Sequence, residues 1–232
     1  MKVASKPTKT INLSPTKHTL LLLAALLFTS SLAAAMWFVR FLYTESFGFF
    51  FLLWNLFLAW LPVLFALLAR RGGATKLGRW LWGGLWLLFF PNAPYLLTDL
   101  LHLGRLSMVP LWYDLILLLT FALAGLFLGL ASLYWLHELV TRTWNWLAGW
   151  LFVLVVLGLS SFGVYIGRFL RWNSWDVFFN PTVLLRDLAG HLLVRSQFLE
   201  TAVVTLLLTA VFIVSYFIVF ALPPQLVVSR EQ

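Results

Sequence analysis

Two stretches of this 232-residue chain place polar side chains at spacings that chemistry can use. In the first, Asn92, Tyr95, Asp99 and His102 lie three, four and three residues apart, with Thr98 beside them. At 100° per helical residue they span an arc of about 80°, which gives a helix one polar edge. In the second, Ser161, Tyr165, Arg168 and Trp172 recur at helical spacing, followed closely by Asn173 and Asp176, with Arg171 between. Asp114 stands near the start of an apolar run between the two.

Three chemistries suit this set. Arg168 and Arg171 could neutralise Asp99, Asp114 and Asp176 in a purely structural ion-pair network, because lone charges near hydrocarbon are costly. The same arginines offer fork-shaped donors for phosphate or carboxylate, on a lipid headgroup or a soluble anion. Alternatively, Asp99-x-x-His102 could ligate a metal with Asp114 or Asp176, and a metal-bound water would make a hydrolase or transferase. That spacing alone is a weak signal, so no metal is favoured and no cofactor is implied.

The elements that carry these residues follow from composition. The chain is 62% hydrophobic and only 10% charged, with 22 Phe and 13 Trp. A soluble domain carries about 25% charged residues, so a water-soluble enzyme is excluded. With no cysteine there are no disulfides, thiolate nucleophiles or thiolate metal ligands. A bilayer core about 30 Å thick needs about 20 apolar residues per helix. Six stretches qualify, near 19–39, 47–69, 80–101, 111–135, 146–167 and 201–222. The expected fold is therefore an all-α, polytopic membrane bundle of six spans. Residues 1–18 form a basic N-terminal tail and residues 223–232 a short C-terminal one. The first span follows Lys2, Lys6, Lys9 and Lys17 and contains Ala33-Ala34-Ala35, but its apolar run exceeds that of a cleaved signal, so a retained anchor is expected.

Charge sets the expected orientation. With the N-terminus in the cytoplasm, all five lysines plus Arg70, Arg71, Arg79, Arg142 and Arg230 fall inside. Arg40, Arg105, Arg168, Arg171, Arg186 and Arg195 fall outside, balanced by Glu45, Asp99, Asp114, Asp176, Asp187 and Glu200. The whole net charge of +8 then sits on one face, so it reports topology and lipid contact rather than nucleic-acid binding. Both termini are expected in the cytoplasm of a cell membrane. The polar residues gather at the opposite, outer face.

Pro91 and Pro94 interrupt the third span. Each lacks an N–H and crowds the carbonyl four residues back, at Leu87 and Phe90. Pro91 would lie about 17 Å along the span from Trp80, where freed carbonyls survive only against protein or a wet cavity. Asn92 is positioned to cap a helix restarting at Pro94. A kinked helix with a satisfied polar seam and a discontinuous helix lining a site both fit.

Elsewhere, Gly125 and Gly129 form a GxxxG pair, and Gly163 and Gly167 would also admit a close neighbour. Residues 182–195 read as an amphipathic helix lying in the outer interface, with Leu184, Leu185, Leu188 and Leu192 on one side and Asp187, His191 and Arg195 on another. Gly158 to Gly163 lacks nucleophile-elbow spacing, and Arg70 to Lys76 is a basic linker rather than a phosphate loop. Asn55 reads as interhelical glue, His137-Glu138 as a solvated helix end, and span six as lipid-facing.

Two segments carry a resemblance. Residues Phe89 to Leu103 (FFPNAPYLLTDLLHL) with Pro110 to Asp114, and Gly163 to Asp176 (GVYIGRFLRWNSWD), resemble signatures of a bacterial membrane-protein family catalogued as domain of unknown function 1361. The likeness runs from about Trp80 to Pro181. It implies an integral membrane protein and no particular chemistry. The preferred expectation is a pocket for a small anionic or lipid-headgroup ligand. Arg168 and Arg171 would hold the anion, with Asn92, Tyr95, Asp99, His102 and Asn173 lining the cavity. Asp114 and Asp176 would orient the arginines. A metal-dependent enzyme using Asp99, His102 and Asp114, and a purely structural protein, remain the alternatives.

Overall fold

A computed structural model describes residues 15–71, 75–104 and 108–221. Most of both tails, Arg105 and the Leu192 side chain lie outside the described residues. Helix α1 covers Pro15–Thr44, α2 Phe51–Arg70, α3 Lys76–Phe89 and α4 Asn92–Tyr95. A 3₁₀ segment, Leu96–His102, continues from α4. Then come α5 (Leu111–Thr143), α6 (Trp146–Tyr165), a π-helical turn (Ile166–Leu170), α7 (Asp176–Phe179), α8 (Pro181–Leu193) and α9 (Arg195–Ala221).

Among the described residues, five helices are long and apolar enough to cross a membrane: 16–44, 50–70, 111–143, 146–170 and 195–220. Their outward faces are apolar as well. On α9, Leu206, Leu207 and Ile218 are all exposed. An exterior of that kind belongs in lipid rather than water. The chain is an all-helical membrane protein among its described residues. The stretch 80–101, expected as a span, is not one long helix but three short elements in series.

Local sequence explains the boundaries. Thr75 caps α3 by accepting from the Gly78 N–H at 3.2 Å, and Asn145 caps α6 by accepting from Ala148 N–H at 2.8 Å. Pro181 occupies the first turn of α8, where its missing N–H costs nothing. Between α3 and α4 the backbone re-pairs locally. Ala93 N–H donates to Phe90 O at 3.1 Å, so one of the carbonyls expected to be free is taken. Asn92 does not cap a helix starting at Pro94. Its Nδ2 instead donates to Phe89 O at 2.9 Å, filling an acceptor that Ala93 N–H has turned away from.

Helix α5 forms the centre, touching α1, α2, α4, the 3₁₀ segment, α6 and α9. Both glycine pairs serve the interrupted segment. A Cβ on Gly125 would stand 2.8 Å from Leu96 Cβ, and one on Gly129 would stand 3.3 Å from Ala93 Cβ. From the other side, a Cβ on Gly163 would meet Pro91 Cγ at 2.8 Å, and one on Gly167 would meet Tyr95 Cε2 at 3.2 Å. Small residues on α5 and α6 thus form a slot for Pro91 to Leu96.

The far end of the bundle differs from expectation in two places. His137 is 4% exposed and its Nδ1 lies 2.7 Å from Tyr216 Oη, so it is a buried partner rather than a solvated terminus. Burying that polar ring requires a partner, and the hydroxyl of Tyr216, which lies with Phe212 on the buried side of α9, supplies it. Glu138 beside it pairs with Arg70 at 2.8 Å and also with Arg142.

Candidate functional site

Asp99 is the centre of the polar cluster. It is fully buried on the 3₁₀ segment, and burial of a carboxylate demands neutralisation. Three elements supply partners. Asn55 on α2 donates from Nδ2 to Oδ2 at 3.0 Å, and Arg168 on the π turn donates from Nη2 to Oδ1. His102, one turn on, places Nδ1 3.8 Å from the same Oδ1 and 3.2 Å from Asp99 O.

Arg168 is held on three sides. Besides Asp99, its Nε donates to Thr98 Oγ1 at 2.8 Å, and its guanidinium lies 4.3 Å from the Tyr95 ring centroid. Thr98 in turn donates to Tyr95 O at 2.7 Å. A planar cation gripped by a carboxylate, a hydroxyl and an aromatic face keeps one geometry. The 3₁₀ conformation matters here. Its three residues per turn set Thr98 over Tyr95 with Asp99 beside them, within reach of one guanidinium.

Above this pair opens a cleft of about 420 Å³, lined by Phe51, Asn55, Tyr95, Asp99, Leu101, His102, Gly167, Arg168, Arg171 and Asn173. Six of the nine expected site residues therefore converge: Tyr95, Asp99, His102, Arg168, Arg171 and Asn173. Asn92 lines a second cleft, of about 270 Å³, that shares Asn55, Tyr95, Gly167 and Asn173 with the first. There Asn92 Nδ2 also donates to Ser174 Oγ at 3.0 Å, tying the interrupted segment to the loop before α7.

Two expected members play other parts. Asp114 does not line the cleft. It is buried against α1, where Arg40 donates to it from Nε at 2.8 Å and from Nη2 at 3.4 Å. Arg40 also lies 4.7 Å from the Phe49 ring centroid. Asp176 orients no arginine. Its Oδ2 accepts from Asn173 N–H at 2.7 Å and shapes the turn beneath the cleft rim. Asp114 therefore does not stand with Asp99 and His102 as a ligand set. Among the described residues no three His, Asp or Glu side chains gather to hold a metal.

The expected face through Ser161, Tyr165, Arg168 and Trp172 is broken for a geometric reason. The π turn inserts extra arc, so Tyr165 and Ser161 are buried while Gly167, Arg168 and Arg171 face the clefts. Trp172 lines the second cleft and also donates from Nε1 to Asp187 on α8 at 2.8 Å. Arg171, at the end of the π turn, has φ 62° and ψ 29°. A left-handed arginine stores strain, and such residues cluster at functional sites.

Sequence reading missed Arg40, Thr98 and Ser174 as polar partners, and credited Asn55 only with interhelical contact. Arg40 carried a usable signal: a lone arginine inside an aromatic-rich apolar helix needs a buried acid. Ser174 carried none, since its role depends on the fold of a loop.

The model of the family described as "Protein of unknown function (DUF1361)" matches residues 54–216. No curated protein and no solved structure matches the chain. The matched region holds the interrupted segment, the π turn and the clefts between them, and on that match the chain belongs to the DUF1361 family.

Proposed function

We propose that this protein sits in a cell membrane with both termini cytoplasmic and binds a small phosphate- or carboxylate-bearing ligand in the outer cleft. In this reading the interrupted stretch 76–102 is a sixth crossing, and α8 lies in the outer interface. Two ring contacts support the crossing. Trp82, near the start of α3, is 6.0 Å from Phe65 towards the end of α2, whereas His102 is 4.8 Å from Phe51 at the start of α2. The path therefore runs the length of α2 in the opposite direction.

Arg171 carries the functional reading. It lines the cleft, is exposed, and among the described residues no carboxylate pairs with it. Arg168 cannot be the principal anion holder, because Asp99 already neutralises it. The lining thus has one excess positive charge, held in a strained conformation at a polar rim. Asn173 adds a side-chain amide donor suited to a remaining oxygen of a tetrahedral anion. Asp99, Asn55, Thr98 and Tyr95 act as positioning residues for the floor.

The structural alternative has its own support, since Asp99 and Arg168 satisfy each other without a ligand. Arg171 separates the two. Glycine adopts φ 62° without strain, so Arg171→Gly removes the cation while leaving the unliganded fold as stable or slightly more so. Thermal melting of the purified protein in detergent, titrated with inorganic phosphate and glycerol 3-phosphate, provides the measurement. At a hundredfold excess over Kd, stabilisation of about 2.7 kcal/mol is expected for the parent protein and none for the variant. Equal responses from the two proteins, or no response from either, would leave the cluster a purely structural lock.

A further inference from the structure

The two clefts that meet at Tyr95 and Asn173 differ in character. The first is polar, with Arg168, Arg171 and His102 around it. The second runs between α2 and α6 against the interrupted segment, and its deeper wall is apolar, including Leu58, Leu88, Pro91 and Ile166. Helices α2 and α6 both pack on α4, which forms the back of this second cleft. Trp54, Leu87 and Val177 line it while remaining 50%, 39% and 43% exposed, so it opens through the side of the bundle. In a membrane protein that side faces acyl chains.

A soluble anion has no use for such a neighbour. An amphiphile does, because its charge and its hydrocarbon need adjoining but unlike surroundings. Building on the anion-site reading above, we infer that the ligand is a membrane lipid with a phosphate headgroup. The phosphate sits on Arg171 in the polar cleft, and one hydrocarbon chain lies in the apolar cleft between α2 and α6. The four residues shared by the two clefts mark the level at which headgroup gives way to chain: Asn55, Tyr95, Gly167 and Asn173. Leu184 of α8 closes the apolar cleft from the outer side, and the Trp172–Asp187 hydrogen bond anchors that helix to the π-turn exit.

The test compares three probes on the full chain in detergent micelles: glycerol 3-phosphate, phosphatidic acid and uncharged diacylglycerol. Phosphatidic acid should raise the melting temperature at a concentration at least about tenfold below that needed for glycerol 3-phosphate, with diacylglycerol weaker than phosphatidic acid. Val177→Asp, which places a carboxylate at the lateral opening, should abolish the lipid's advantage and leave the glycerol 3-phosphate response unchanged. Leu184→Gln repeats the comparison from another wall in case the first variant loses fold. Equal potency of the lipid and the soluble phosphate would overturn the lipid assignment while the anion site stands. Silence from all three probes would remove both.

Discussion

Charged residues in this protein are distributed by the cost of leaving them alone in hydrocarbon. Arg40 and Asp114 form the clearest case, with side chains 1% and 3% exposed. Deleting one member of a buried pair is more damaging than replacing both, because the survivor keeps its charge without compensation. Arg40→Met is therefore expected to destabilise by about 3–5 kcal/mol, and adding Asp114→Leu to recover most of that loss. Denaturant titration of the single and double variants reads it out; an additive double variant would mean the pair is not coupled. Asp99 differs, since Asn55 on α2, Arg168 on the π turn and His102 on its own 3₁₀ segment surround it. Types and spacing were legible for most of this cluster. The partner of Asp114 was not, because sequence places it 74 residues away with no spacing rule to join them.

Among the elements, the interrupted segment is held by what its neighbours lack. Prolines at 91 and 94 forbid a regular helix, and glycines on α5 and α6 receive the resulting shape. This predicts a contrast between two glycines. Gly125→Ala pushes a Cβ to 2.8 Å from Leu96 Cβ, and overpacking of that kind costs about 1–3 kcal/mol. Gly84→Ala on α3 meets nothing within 4 Å and should be neutral or stabilising by up to about 1 kcal/mol, from helix propensity alone. Melting temperatures of both variants check this, and similar losses at both sites would contradict the slot. The glycine and proline positions were readable from sequence, and their mutual fit was not. The π turn was also invisible, since helical periodicity assumes 3.6 residues per turn and the shift of Arg168 and Arg171 follows from departing from it.

For the whole molecule, the path of residues 76–102 decides the topology. Thr75 and Asn180 are both exposed, and the chain contains no native cysteine. Between them lie α5, α6 and the interrupted stretch. If that stretch crosses, the two positions face opposite sides; if it does not, they share one. A membrane-impermeant maleimide should label Asn180→Cys in intact cells and Thr75→Cys only after lysis. Protection of both positions until lysis would reduce the bundle to five crossings.

Composition and apolar run length alone determined that this chain belongs in lipid and that its described spans are helical. Those properties depend on local transfer free energy, which each segment carries regardless of its neighbours. Tertiary structure decided which arginine serves which acid, that Asp114 belongs to α1 rather than to the cleft, and that Arg171 retains a cation with no carboxylate partner among the described residues. Pairing depends on distances between elements far apart in the chain, and only packing sets those distances.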